Sequence, residues 1–337
     1  MLSPRTALLF AVVFYLFCTP AFARRYPCDN LLVRKEWRNM HSAEQAEYVR
    51  AVKCLQAQPT VKPAYPAAIT RFDEFQAHYM KQADSVHNLG QFLPWHRHYL
   101  RTYENALRTE CAYKGASPYW DWSLDADSNH SISASPVFHP ITGFGGDGVP
   151  GTYTPTSDNS DDDALAPSAI RGCVSTGPFA NYTLNLGIGQ HASSHCLTRG
   201  IADGAKKYLT SSVVASAMQS EDFAAFRTEI EGEAGTADYN MADGGRIAVG
   251  GEMRSDYSAP GDPLFYLHHA NIDRIWWNWQ QLDPATRFFS ISGPATKTEP
   301  VHEVGVDYVL YMGSLGLSVP IRDVLDLWSK PNCYSYA

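Results

Sequence analysis

The sequence predicts a mainly α-helical fold interrupted by long irregular loops. Two observations favour this class. Apolar residues recur at helical spacing in several stretches, and the segment Ser123–Gly189 lacks that period and is rich in Ser, Gly, Asp and Pro. Because no second core-forming pattern accompanies that segment, it is interpreted as a surface loop excursion within one domain. The stretches with helical spacing are 31–57, 70–110, 208–230 and 262–282.

The first half of the chain predicts a series of helices. Leu31–Ala57 is interpreted as two helices, because a capping box begins inside it at Ser42. Thr70 is predicted to cap the next helix, whose inner positions include Phe72, Phe75, His78 and Tyr79. His87 falls on a Gly/Asn-containing connection, and Pro94 is predicted to start a helix that ends near Glu110.

The later helices are predicted from similar signals. Tyr208–Ile230 places Val, Met and Phe side chains on one helical face. Asp262 and Pro263 precede a helix predicted to run through Leu282, followed by a short mixed tail.

The N-terminus predicts a secretory leader over residues 1–23. Arg5 precedes the apolar run Ala7–Phe17, and Ala21-Phe22-Ala23 is a small-residue cleavage signal. The run is short for a membrane span, and no later segment of about 20 apolar residues exists. We therefore expect a protein of the secretory pathway, secreted or associated with the cell wall or vesicles, with one domain over 24–337.

Charge and cysteine content narrow the function classes. A net charge of −8 argues against nucleic acid as a partner, and the 12% aromatic residues include Trp and Tyr clustered near several histidines. Outside the leader, six cysteines remain, which predicts three disulfides with 15 possible pairings. Asn129 and Asn181 lie in glycosylation motifs. The oligomeric state stays open.

Three histidines in the first half form a candidate metal site. His78, His87 and His96 are spaced nine residues apart on the predicted helix–loop–helix segment. Neutral imidazoles suit Zn, Cu or Fe, and three of them leave an open coordination position. Spacing alone is weak evidence, because histidines are often ordinary core or surface residues.

Four motifs together resemble the tyrosinase, catechol oxidase and haemocyanin superfamily of type-3 copper proteins. They are FDEFQAH, the interval ending in FLPWHRHYL, the segment PYWDW, and DPLFYLHHANIDRIWWNWQ. The resemblance implies an antiparallel four-helix bundle around a metal site. It also implies that His78, His87 and His96 hold the first ion, that His269, with His268 beside it, belongs to the second, and that Asp273 supports the site from outside.

The second ion site is incomplete when the family pattern is placed on this chain. In the family pattern, the other two ligands of the second ion precede a stretch that corresponds to Val249–Met253 here. Counting back from that stretch places the two ligand positions on Ala242 and Arg246. The pair His191 and His195 has the right internal spacing, but His195 lies 74 residues before His269, against 23 for Arg246. A relocated pair is therefore the less favoured interpretation.

These substitutions predict a single-ion, non-oxidative site. Arginine stays protonated and donates no lone pair, and a bare guanidinium about 4 Å from a divalent ion would repel it by roughly 8 kcal/mol at an effective dielectric of 20. Arg246 is then a candidate to stabilise an oxyanion or, alternatively, to pair with Asp243. His98 is a candidate proton shuttle or a packing residue, and with Arg246 and His269 it completes the catalytic candidates.

Zinc is the expected ion, with copper as the alternative. Among short fungal members of the superfamily, the chain is similar to the cyclopenase type, which rearranges a benzodiazepinedione epoxide (cyclopenin) to a 4-arylquinolone (viridicatin) in alkaloid biosynthesis. That similarity implies a lyase that uses the metal as a Lewis acid. The alternatives are a copper-dependent o-diphenol oxidase and a non-catalytic secreted binding protein.

Overall fold

The computed structural model describes residues 28–63, 65–154, 169–233 and 239–337. The predicted leader lies outside these residues. Within them the protein is mainly α-helical, as predicted. Its helices are α1 (Ser42–Ala57), α2 (Arg71–Val86), α3 (Phe92–Glu110), α4 (Ser123–Ala126), α5 (Ser211–Met218), α6 (Phe223–Glu231), α7 (Met241–Val249), α8 (Leu264–Leu282) and α9 (Pro284–Arg287).

In the described residues, short strands form four small sheets beside the helices. Parallel strands β1 and β9 join the two ends of the described chain, β2, β3 and β6 form a three-stranded sheet, and β4–β5 and β7–β8 are antiparallel pairs. The strands are β1 (Leu32–Arg34), β2 (Gly148–Pro150), β3 (Gly172–Val174), β4 (Thr183–Leu186), β5 (Ala192–Cys196), β6 (Thr198–Arg199), β7 (Val309–Leu310), β8 (Val319–Pro320) and β9 (Tyr334–Tyr336).

Helices α2, α3, α7 and α8 enclose the candidate site. Their inner faces are aromatic: Tyr103 of α3 stacks on Tyr266 of α8 with ring centroids 3.5 Å apart, and Phe75 of α2 packs edge-on against Tyr99 at 5.9 Å. Large buried rings contribute strongly to such a core because each removes a large apolar area from water. In the described part of the chain, no helix is long and apolar enough to cross a membrane.

The helix starts follow local capping chemistry. The Thr70 hydroxyl accepts a hydrogen bond from the Asp73 N–H, and the Asp73 carboxylate accepts one from the Thr70 N–H, which completes a capping box. Helix α3 begins at Phe92, two residues before the predicted Pro94. Proline is tolerated there because N–H groups of the first turn have no partner within the helix.

Two predicted helices differ from the structure. Leu31–Ala57 contains only one α-helix, because β1 pairs with β9 and buried Arg34 forms an ion pair with Glu104. The predicted helix Tyr208–Ile230 is divided into α5 and α6. The break has a local cause: the carboxylate of Asp222 accepts a hydrogen bond from the Ala225 N–H and so caps a new helix.

The prediction of three disulfides is confirmed, and the structure assigns their pairing. The bonds are Cys28–Cys333, Cys54–Cys111 and Cys173–Cys196. The first one joins the N- and C-terminal segments beside the β1–β9 pair. Three disulfides fit an oxidising compartment, as the predicted secretory route requires.

Candidate metal centre

Adjacent residues on α2 face different surroundings. Tyr79 lies on the same face as Phe72 and Phe75, and its ring contacts those of His87 and His96 at centroid distances of 5.6 and 5.8 Å. His78 is displaced from that face by one residue, about 100° around the helix. Its ring stacks on Trp95, and its Nε2 donates a hydrogen bond to the Tyr311 carbonyl at 3.2 Å. The predicted role of His78 as a metal ligand is not tested by these contacts and stays a prediction.

His87 terminates α2 and points into the bundle. Its Nε2 is joined by a 2.7 Å hydrogen bond to the hydroxyl of Tyr79. The next residue, Asn88, has a positive φ of 58°, and its N–H donates to buried Glu231 of α6. The connection after α2 is therefore held in place by a carboxylate from another helix, which fixes the direction of the imidazole.

His96 and His269 meet face to face across α3 and α8. Their rings are nearly parallel, with centroids 4.3 Å apart and an interplanar angle of 7°. His96 donates its Nδ1–H to the Phe92 carbonyl at 2.8 Å, so the neutral ring carries its lone pair on Nε2. Among the described residues, neither that Nε2 nor either nitrogen of His269 has a hydrogen-bond partner. Buried polar atoms without partners are uncommon, and a site for an ion is one of their explanations.

His268, beside His269, has a structural role. Its Nε2–H donates to the Ala242 carbonyl at 2.9 Å, and its Nδ1 accepts from the indole N–H of Trp122 at 3.2 Å. A Cβ at Gly245 would lie 2.2 Å from this ring, so the glycine of α7 permits the close approach. With both nitrogens engaged, His268 has no free lone pair, and His269 is the residue of the pair that faces the site.

The two α7 positions that the family resemblance assigns as ligands hold no imidazole. Ala242 contributes only a methyl group, and Arg246 is 12% exposed and bonded at 2.5 Å to both Asp243 and Asp256. The ion pair with Asp243 is the alternative expected from the sequence, and the pair with Asp256 is additional. Since both terminal nitrogens of the guanidinium donate to carboxylates, the two anions offset its charge.

Two further predicted residues lie away from the histidine cluster. The Nε2–H of His98 donates to the Leu317 carbonyl at 2.7 Å, so its ring faces the C-terminal segment rather than the site. Asp273 accepts a hydrogen bond from Arg97 at 2.5 Å and others from Tyr334 and Tyr336. Its oxygens join α3, α8 and the C-terminal strand, and the expectation that Asp273 supports the site from outside stays a prediction.

His191 and His195 lie on the β4–β5 hairpin, and only one of them is buried. The Nε2 of His195 forms an ion pair with buried Glu252 at 2.9 Å, and Nδ1 bonds to the Ser193 carbonyl. His191 is exposed. The pair therefore does not converge on the cluster, in agreement with the less favoured status that its sequence position gave it.

Burial keeps the imidazoles of the site neutral. Loss of solvation, assisted by the positive charge of Arg246, lowers the pKa of His87 to about 3, and burial likewise lowers that of His268 to about 3. Burial, with the neighbouring histidines as the next cause, holds the pKa values of His96 and His269 well below the usual range. Neutral rings offer lone pairs at physiological pH, which a metal ligand must do.

The donor set fits one ion better than two. In the described ranges, no group of three or more His, Cys, Asp or Glu side chains is positioned to hold a metal ion. A pair of ions would need ligands from α7, which supplies an alanine and an ion-paired arginine. The candidate donors for a single ion are the unpartnered nitrogens of His96 and His269. His87 lies beside them, but its Nε2 is bonded to Tyr79, so the three imidazoles are not arranged as a three-ligand set in this geometry.

Sequence reasoning overlooked Tyr79 as a site residue. A signal was available, because Phe72, Phe75 and Tyr79 follow one another at spacings of three and four on the buried face of α2. The equal spacing of the three histidines favours His78, the residue that precedes Tyr79.

Three comparisons with known proteins agree with this architecture. Residues 66–282 match the family model for the common central domain of tyrosinase. The chain is 36% identical to the tyrosinase-like protein phomQ1' of Diaporthe leptostromiformis over 92% of this chain and 80% of that protein. It is 32% identical to the N-acetyl-6-hydroxytryptophan oxidase ivoB of Emericella nidulans over 94% and 96% of the two chains.

A solved structure gives the same result at the level of the fold. The chain is similar to a mutant polyphenol oxidase from Thermothelomyces thermophila, with a TM-score of 0.80 and 31% identity, over 93% of this chain and 91% of that one.

Proposed function

The chain belongs to the tyrosinase family, and from that membership we propose an enzyme that acts on a small aromatic molecule at a single metal ion and does not oxidise diphenols. The observation that carries the proposal is on α7. Ala242 and Arg246 occupy the face that should supply two imidazoles, and Arg246 is bound by Asp243 and Asp256. A coupled copper pair lacks two of its ligands there.

Three imidazoles remain for one ion. His87, His96 and His269 come from the end of α2, from α3 and from α8, and their rings are in mutual contact through His96. An ion in an open three-nitrogen site supplies Lewis acidity, polarising a carbonyl or other oxygen of the substrate. The tyrosinase family normally binds copper, so copper is consistent with membership, while the zinc expected from the sequence has no support from the comparisons.

The aromatic walls of the site favour a flat, apolar substrate. Phe265 lies 4.3 Å from the ring of His269, and Phe92 lies 4.5 Å from that of His96. Such walls exclude water and stack on aromatic rings, while a few polar atoms set the orientation. The oxyanion role considered for Arg246 is weakened by its two carboxylate partners, and the proton-shuttle role of His98 by its contact with Leu317.

The reaction class that suits these features is an elimination or rearrangement, and conversion of cyclopenin to viridicatin is one example of it. The second candidate is an o-diphenol oxidase. The names of the relatives favour that candidate, since they include a tyrosinase-like protein and an oxidase. It requires a second ion, whose ligands α7 does not provide. A binding protein without catalysis is the third candidate.

Elemental analysis combined with turnover assays separates these candidates. The purified full-length protein should hold one metal ion per chain, show no oxidation of catechol, and lose its metal on His96→Ala. The exposed His130 provides a matched control, since His130→Ala should change neither metal content nor stability. Two copper ions per chain with catechol turnover would establish the oxidase instead, and a wild-type protein that takes up no metal would favour the binding protein.

A further inference from the structure

We propose that the phenol oxygen of Tyr79 is a metal ligand, so that the centre is built from one phenolate and the imidazoles of His87, His96 and His269. The inference rests on the proposed function in one respect only: it requires that the site hold a single ion. It replaces His78, the α2 residue that the histidine spacing favoured, with its neighbour in sequence.

The first support is the distance between donor atoms. The Tyr79 hydroxyl oxygen lies 2.7 Å from His87 Nε2. Two ligand atoms at about 90° on one ion, with bonds of about 2.0 Å, are roughly 2.8 Å apart, the arrangement that tetragonal Cu²⁺ sites favour and one that leaves a further position for substrate. The observed pair is therefore within a few tenths of an ångström of the spacing of neighbouring ligands, and a small rotation of either ring opens the remaining gap.

The second support is the surroundings of the phenol. Tyr79 is fully buried, and its ring packs edge-on against His96 at 5.8 Å and against Phe265 at 5.0 Å. The ring of Tyr79 therefore lies against the imidazole of His96, whose Nε2 is unpartnered among the described residues. His269, stacked on His96, brings two more nitrogens for which no partner occurs within the residues described.

The third support is the chemistry of the donor set. A phenolate is a hard anionic oxygen ligand, and proteins use tyrosine to bind ferric haem iron. Combined with imidazole it suits Cu²⁺ or Fe³⁺, and it also reduces the net positive charge of a buried ion. When the ion binds, the O–H bond of Tyr79 breaks, the oxygen keeps the electron pair, and the proton passes to solvent; nothing is oxidised or reduced.

His78 is the alternative from the same helix. Its Nε2–H donates to the Tyr311 carbonyl, and its ring stacks on Trp95. To reach His87, it would have to break that hydrogen bond and exchange places with Tyr79 on α2. The bundle holds Tyr79 on the inner face through Phe265 and Tyr99, which opposes the exchange.

The experiment uses Cu²⁺ as the probe on the full-length protein after removal of metal by a chelator. A phenolate bound to Cu²⁺ gives a visible charge-transfer absorption that imidazole ligands do not give. Wild type should bind one Cu²⁺ and show this band. Tyr79→Phe should lose the band and bind Cu²⁺ at least tenfold more weakly, as measured by titration calorimetry.

Three further variants test whether the absorption band and the Cu²⁺ affinity depend on the Tyr79 oxygen in particular. His78→Ala should retain both the band and the affinity, and so should Tyr99→Phe, which removes another buried hydroxyl, one that donates to the Phe75 carbonyl. Tyr79→His should bind Cu²⁺ without the band, because an imidazole then replaces the phenolate. Circular dichroism of each variant establishes that it is folded.

The outcomes separate this inference from the proposed function. If wild type binds one Cu²⁺ without a phenolate band, or if His78→Ala loses the ion while Tyr79→Phe keeps it, the tyrosine ligand is wrong and the single-ion function stands. If wild type binds two Cu²⁺ ions, or none at all, the proposed function fails as well.

Discussion

The site has two halves, one where α2 meets α3 and one at α7, and different side chains fill the enclosed space in each. Where α2 meets α3, the enclosed space is filled by His87, His96 and the hydroxyl of Tyr79, and Nε2 of His96 is unpartnered among the residues described. At the corresponding level of α7, Ala242 and Arg246 fill the space, and the polar atoms of the arginine are satisfied by Asp243 and Asp256. One half has free donor atoms and the other has none.

The difference shows how an arginine can occupy this part of the bundle without leaving a buried charge unpaired. An isolated guanidinium would strongly destabilise the interior and repel a nearby cation. Here two carboxylates flank it, so the repulsion of roughly 8 kcal/mol estimated for a bare arginine is an overestimate. In the proposed single-ion site, the absence of imidazoles at Ala242 and Arg246 limits ion binding more than the positive charge does.

The largest expected effect is on the half with free donors. His96→Ala removes a central imidazole, whose ring contacts the rings of both His87 and His269. Metal affinity should fall by more than about 100-fold, since even residues that only support metal ligands contribute 10- to 100-fold. Competition with a chelating dye measures this loss.

The matched change in the other half is Arg246→Met, which removes no imidazole. The affinity of the single ion should change by less than about tenfold, because the two carboxylates already offset most of the arginine charge. Equal losses in the two variants would show that α7 takes part in binding the ion and would contradict the division into halves.

A second prediction concerns restoration of the incomplete half. Ala242→His combined with Arg246→His places imidazoles four residues apart on one face of α7, the spacing at which helical neighbours meet. Copper content should rise from one toward two ions per chain by elemental analysis. Asp256 loses its partner in this variant, and the lone carboxylate should favour the added cation.

The single substitutions serve as controls for restoration. Ala242→His alone or Arg246→His alone supplies one ligand and should leave the content near one ion. If the double variant is folded and still holds one ion, the alignment of α7 through the Val249–Met253 stretch is wrong, or His269 is unable to serve a second ion.

The helices were predictable from sequence where packing follows local pattern. The period of apolar residues identified α2, α3 and α8, and Thr70 marked the start of α2. The strand β1 was not predictable, because its partner β9 lies about 300 residues later and hydrogen bonds between distant segments leave no local signal. The same limit applies to Asp256, which reaches Arg246 across a turn.

Some features of the candidate site could likewise be predicted from the sequence, and others could not. The placement of Ala242 and Arg246 at ligand positions follows from the neighbouring Val-Gly-Gly stretch and stays a prediction, whereas the ion pair of Arg246 with Asp243 is observed. The choice between His78 and Tyr79 could not be made from histidine spacing, since it depends on which face of α2 packs against α3 and α8. Rotation of α2 about its axis by about 100°, the angle between successive residues, would place His78 where Tyr79 lies.

Adjacent histidines on α8 should behave in opposite ways. His268→Phe keeps a ring but leaves the Ala242 carbonyl and the Trp122 indole N–H without their partner. Each buried polar group without a partner costs about 1–3 kcal/mol, so the free energy of unfolding should fall by at least about 2 kcal/mol. Metal content should be unchanged. Denaturant titration and elemental analysis measure the two effects.

His269→Phe is the matched variant. It removes two nitrogens that lack partners within the described chain, so the metal-free protein should be as stable as wild type or more so, while metal binding is weakened. If instead His268→Phe lost the ion and His269→Phe retained it, the assignment of His269 to the site would have to be reversed.

The smallest expected effect concerns the carboxylate that holds the connection after α2. Burial raises the pKa of Glu231 to about 8, against the opposing influence of the Asn88 N–H and Arg227. Because the unfolded chain ionises near the ordinary pKa of 4.5, it releases this proton at lower pH than the folded protein does. The contribution to stability is therefore complete below about pH 4.5 and is lost as the pH rises through about 8.

Replacement of this carboxyl by an amide tests the pH dependence. Glu231→Gln keeps an oxygen for Asn88 but cannot ionise, so its stability should vary less than that of wild type between about pH 5 and 8. Urea unfolding at several pH values measures the difference, with the exposed Glu229→Gln on the same helix as the control. Equal pH slopes for Glu231→Gln and wild type would mean that Glu231 is already ionised in the folded protein, paired with Arg227 as its 3.3 Å contact allows.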